Sequence, residues 1–159
     1  MSNVISNLPK LEQFESMMAD LYDRMSNQFA SDKEAELLFA RLASEERSHR
    51  SQVEYLSRVA RKNAQLLSGV NIDVEAIDRE TLAVKRILEQ LPKLSLAEVI
   101  PLVLFVESGA AEVTWKDSLK TADRGLAGMI RGLEEGSRRH RDTLAAFASS
   151  REFAVRSRT

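Results

Sequence analysis

Four stretches of this chain carry apolar residues at alternating steps of four and three, and each interrupts its apolar seam at one level with a glutamate or a histidine. Those steps keep side chains on one face of an α-helix, so the pattern demands long helices packed around a shared core. The first seam reads Leu11, Glu15, Met18, Tyr22, Met25, Phe29, and the second Phe39, Leu42, Glu46, His49, Val53, Leu56, Ala60. The third reads Leu96, Ile100, Val103, Glu107, Ala110, Thr114, and the fourth Leu126, Ile130, Leu133, Ser137, His140, Leu144, Phe147. Glycine and proline are scarce, at 6 and 3 in 159 residues. No alternating stretch calls for a strand, so the expected class is all-α in a single domain over residues 1–159.

Punctuation residues place the helices at about 8–29, 32–66, 74–91, 96–122 and 124–154. An early proline, Pro9, is tolerated in a first turn. Ser31 with Glu34, and Ser95 with Glu98, have the spacing of capping boxes. Ser68-Gly69-Val70-Asn71 breaks the second helix, Asp73 caps a shorter third, and Pro92 ends it. Pro101 is expected to kink the next helix, and Asp123 to cap the last. Two tight helix pairs joined by a long connection predict an antiparallel four-helix bundle, with a long crossover containing a short extra helix between helices two and three. The tail with Arg156 and Arg158 is expected to fray.

The polar interruptions should meet in space. Glu15 lies 16 residues before Ser31 and Glu46 lies 15 after it, so folding that hairpin brings the two to similar heights. Around Asp123, Glu107 lies 16 before, with Ser137 and His140 at 14 and 17 after. A carboxylate in an apolar core costs several kcal/mol unless protons or a cation neutralise it. A metal would neutralise the whole set at once, and glutamate oxygens with imidazole nitrogens suit iron, manganese or zinc. The Glu46-x-x-His49 spacing lets both side chains reach inward from adjacent turns.

Charge and cysteine content narrow the chemistry. The 23 basic and 24 acidic residues nearly cancel, which gives no field to draw the chain to nucleic acid or an anionic membrane. With no cysteine, disulfides, thiolate metal sites and thiol nucleophiles are excluded. The N-terminus has neither a basic nor an apolar leader region, and the apolar run from Val99 to Val106 is too short to span a bilayer. A soluble cytoplasmic protein is the expectation.

Taken together, LEQFESMMADLY with Glu15 and Tyr22, EERSH with Glu46 and His49, FVESG with Glu107 and SRRH ending in His140 resemble the ferritin-like superfamily, rubrerythrin-type members most closely. The resemblance spans nearly the whole chain and implies a di-iron carboxylate centre. By it, Glu15 and His49 would serve one metal, Glu107 and His140 the other, and Glu46 would bridge them. The fourth-helix bridging glutamate is replaced by Ser137, so the second Glu-x-x-His motif is degenerate and one iron, or an asymmetric pair, is implied. Glu134 and Glu135 stand off the face of His140, unless a π-bulge carries Glu135 round. Peroxide-reducing rubrerythrins carry a further carboxylate where this chain has Ala110, and a cysteine module that it lacks.

The resemblance therefore implies oxidation of iron or manganese, with dioxygen or peroxide as partner, in a homodimer. Tyr22 is the candidate for a redox-active phenol near the metal, against a packed tyrosine with its hydroxyl satisfied. Met17, Met18 and Met25 read as gap-fillers, Trp115 as a core or dimer contact, and Arg131, Arg138, Arg139 and Arg141 as a solvated face. The rivals are a non-catalytic bundle that keeps the layer as a polar network for partner binding or assembly, and a di-iron oxygenase acting on an organic substrate.

Overall fold

The computed structural model describes residues 4–113 and 123–153, side chains at 110–113 excepted. These residues form five α-helices: α1 Val4–Gln28, α2 Lys33–Lys62, α3 Val74–Gln90, α4 Leu96–Val113 and α5 Arg124–Ser150. Short 3-10 turns occupy Ala64–Leu67 and Leu91–Lys93, and no strand occurs among the described residues. The chain is therefore all-α. No helix among the described residues is long and apolar enough to cross a membrane.

Several boundaries differ from the sequence expectation, each for a local reason. The first helix begins at Val4, a turn before the predicted start, and runs through Pro9. Val4 and Leu8 are fully buried, so the extra turn hides apolar surface that outweighs the one backbone bond Pro9 cannot donate. The cap of α2 is Asp32 rather than Ser31, its Oδ1 accepting from the Ala35 amide at 3.1 Å. Asp32 is also held by Arg151, 2.6 Å away, and Glu34 turns to the same guanidinium at 2.8 Å instead of closing a box. At the other end Asn63 stops α2 four residues early and caps the following 3-10 turn.

The other caps fall where their residue types put them. Asp73 and Asp123 accept from the amides of Ala76 and Leu126. Ser95 and Glu98 form a reciprocal capping box, the Ser95 amide donating to Glu98 at 2.8 Å and the Glu98 amide to Ser95 Oγ at 3.3 Å. Pro101 lies inside α4, which continues through it. The last helix ends at Ser150, where Arg151 lies over the Phe147 ring at 4.9 Å. The expected end of the third long helix near Ala122, the role of Trp115, the side chain of Ala110 and the tail lie outside what is described.

Packing follows the order α1, α2, α5, α4, α3 and back to α1, with each neighbouring pair in contact. The shorter α3 is thus wedged against both α1 and α4. The core between the helices is apolar at both ends, with Leu8, Leu11, Leu56 and Val53 on one side and Met25, Phe39 and Phe147 on the other. Met18 and Met25 are buried among these groups, as gap-fillers should be. In the middle of this apolar column lies a layer of polar side chains.

Candidate metal centre

Glu15, Glu46, His49, Glu107 and His140 are all buried, none more than 7 % exposed. They come from four helices: Glu15 from α1, Glu46 and His49 from α2, Glu107 from α4 and His140 from α5. Glu46 is the hub. His140 donates from Nδ1 to Glu46 Oε1 at 2.9 Å, and His49 donates from Nδ1 to Glu46 Oε2 at 3.3 Å. Glu15 lies 3.7 Å from His49 Nδ1, and Glu107 lies 3.7 Å from His140 Nδ1. The two imidazoles stack with centroids 5.0 Å apart. Each imidazole therefore faces one flanking glutamate and shares the central one.

The Tyr22 hydroxyl donates to Glu107 Oε1, linking α1 to α4 across the layer, and its ring stacks on Phe39. Tyr22 is fully buried, so its hydroxyl is satisfied by a layer carboxylate.

Two residues that the seam did not single out complete the arrangement. Glu45 accepts from His140 Nε2 at 2.8 Å and is itself gripped by Arg41 Nε at 2.8 Å. That partner on the far nitrogen fixes the ring so that Nδ1 points inward, the support a metal-binding histidine needs. Gly136 lies flat against His49: a Cβ there would fall 2.3 Å from Nε2 and 2.7 Å from Cε1. The buried face of α5 thus passes through Gly136, and Ser137 is only partly buried, its hydroxyl donating to the Leu133 carbonyl. No π-bulge interrupts α5, and Glu135 is exposed, while Glu134 pairs with Arg138 at 3.5 Å. The Glu45-Glu46 doublet and a glycine one position from the seam, among four glycines in α5, were the available signals.

Electrostatics follow from burial and these contacts. Burial, then the charge of Glu46, push Glu15 up to about 8. Burial likewise raises Glu107, against the pull of His140. For Glu46 burial is outweighed by the hydrogen bonds from His140 and His49, which hold it well below the usual carboxylate range. Burial opposes charge on the imidazoles, yet the bonds to Glu15 and Glu46 raise His49 to about 9, and those to Glu107 and Glu46 raise His140 to about 11. Burial, then Glu107, hold the Tyr22 phenol well above its ordinary value, so it stays protonated.

At neutral pH an ionised Glu46 is therefore sandwiched between two imidazolium rings, with Glu15 largely protonated. The donor set fits a borderline divalent ion: Glu46, His49 and His140 each present an atom within 4.8 Å of the others, and Glu15 and Glu107 flank them. Binding must displace the protons of His49, His140 and Glu15. Three raised pKa values mean that the metal-free fold loses stability as pH climbs, from about 4.5 to 8 through Glu15 and from about 6.5 to 9 and 11 through His49 and His140. Metal affinity should do the reverse, rising between pH 6 and 9 with release of about two to three protons per ion. Calorimetry in buffers of different ionisation enthalpy checks this, and proton-independent binding would contradict it. Against known proteins, the chain matches no family model, no curated protein and no solved structure.

Proposed function

We propose that the chain is a ferritin-like, rubrerythrin-type four-helix bundle, with α3 in the crossover, whose buried layer takes one or two iron or manganese ions and reacts them with dioxygen or peroxide. The observation that carries the reading is the arrangement around Glu46, a single carboxylate between two imidazole Nδ1 atoms with one further glutamate beside each ring. Bound iron or manganese would supply electron transfer toward dioxygen or peroxide. Glu46, His49 and His140 are the residues to hold the ion, and Glu15 and Glu107 widen the donor set on either side. Tyr22 holds Glu107 in place across the layer, and the apolar residues above and below exclude water. With Gly136 and Ser137 presenting no carboxylate to the layer, the α5 side contributes His140 alone, which favours single or asymmetric occupancy over a symmetric pair.

A second reading is favoured by the hydrogen bonds themselves. Glu46 and the two imidazoles satisfy one another directly, and a closed polar network of this kind can specify how helices pack without any chemistry. Oxidation of ferrous iron separates the two. Protein loaded anaerobically with ferrous iron and then exposed to dioxygen should convert it to ferric iron faster than buffer and consume oxygen in proportion. A rate equal to that of buffer would favour the structural network.

A further inference from the structure

We propose that divalent cations reach the layer through the depression between α2 and α5 outside His140, with Glu45 as the carboxylate that receives the ion there. The inference rests on the metal-binding reading and concerns the route to the site. Glu15, Glu46 and Glu107 have side chains no more than 10 % exposed, whereas that of Glu45 is 29 % exposed and still touches the layer through His140. It joins solvent to the buried ligands.

The space outside it is adequate. The depression holds about 410 Å³ between Arg41, Leu42, Glu45, Arg139, Asp142 and Thr143. Six waters at about 30 Å³ each occupy roughly 180 Å³, so an ion can arrive with its hydration shell intact. A larger depression of about 560 Å³, by Asn27 and Leu88, touches none of the layer residues. Size alone does not make a port.

Arg41 acts as the latch. Its Nε–Oε1 bond to Glu45 neutralises the carboxylate, but the Arg41 side chain is 69 % exposed, and an exposed pair of this type contributes under about 1 kcal/mol. The guanidinium can therefore swing away at little cost and uncover an anionic oxygen beside His140. Arg139 and Asp142 carry opposite charges at the same rim, so departure of Arg41 tips the depression toward net negative charge and speeds the entry of cations.

Stopped-flow mixing with cobalt(II), followed by its visible absorption as water is exchanged for imidazole and carboxylate, tests the route. Glu45 also orients His140, so the informative variants lie elsewhere. Arg41→Ala should load about tenfold faster at low ionic strength, and Thr143→Trp, which fills the depression, about tenfold slower, both reaching the wild-type end point. Asn27→Trp, at the other depression, should load like wild type. If Thr143→Trp does not fold, Ala146→Trp at an exposed position on the same rim replaces it. Rates within about twofold across all variants, with cobalt bound in each, would overturn the port and leave the metal site standing. No cobalt bound by any protein would overturn both.

Discussion

Glu46→Gln should destabilise the metal-free protein by about 3 kcal/mol and abolish metal retention. The substitution keeps the shape of the side chain and removes its charge, leaving two buried imidazolium rings whose shared counter-ion is gone. Breaking a buried ion pair from one side costs about 3–5 kcal/mol. The lower end applies here because the charge of Glu46 also raises Glu15 and Glu107. With Glu46 neutral, these two glutamates ionise more readily and recover part of the loss. Urea denaturation measures the difference. The exposed pair of Arg50 and Glu54, 3.4 Å apart, gives the scale for comparison: Glu54→Gln should change stability by less than about 0.5 kcal/mol. A Glu46→Gln loss no larger than that would mean that the layer is not the electrostatic hub its geometry describes.

The second large effect is at Gly136, where helix propensity and packing oppose each other. Alanine is favoured over glycine in a helix interior by about 1 kcal/mol. At Gly128 and Gly132 a Cβ meets nothing within 4 Å, so alanine there should stabilise by about that amount. At Gly136 the same Cβ overlaps the His49 ring at 2.3 Å, and overpacking of this kind costs about 1–3 kcal/mol. Either the ring turns away from Glu15 and Glu46 or α5 moves off α2. Gly136→Ala should therefore be net destabilising by about 1 kcal/mol and weaken metal binding roughly 10–100-fold, the range for lost support of a metal-binding side chain. Thermal melts of the three alanine variants, with metal titrations of each, decide the matter. A Gly136→Ala protein as stable and as tight-binding as the Gly132→Ala control would remove the steric argument.

That glycine also marks where sequence reasoning reached its limit. Steps of four and three locate the buried face of α5 to within one residue, which was enough for Ile130, Leu133 and His140 but led through Ser137 instead of Gly136. The contribution of Gly136 is the absence of a side chain, and a hydropathy pattern cannot register it. Glu15, Glu46, His49 and Glu107 were legible because a charged residue inside an apolar seam is conspicuous and hairpin arithmetic set their heights. Glu45 was not, because it stands at the edge of that seam, and only the approach of α5 gives it His140 as a partner. The cap of α2 moved from Ser31 to Asp32 for a similar reason: Arg151, 119 positions away, reinforces the aspartate. Local rules held wherever the cap was closed by neighbours in sequence, as at Asp73, Asp123 and Ser95 with Glu98.

The exposed faces behaved as their composition suggested. Arg138 pairs with Glu134 and Arg141 with Asp142, both at the surface. Both pairs lie apart from the layer, where Glu15, Glu46, His49, Glu107, His140 and Tyr22 share one buried space.

The most direct test of that layer is the metal content per chain by elemental analysis, on protein loaded anaerobically with ferrous iron and desalted, beside Glu46→Gln treated identically. The account predicts one or two ions retained by the wild type and none by the variant. Equal metal in both proteins, or none in either, would contradict it.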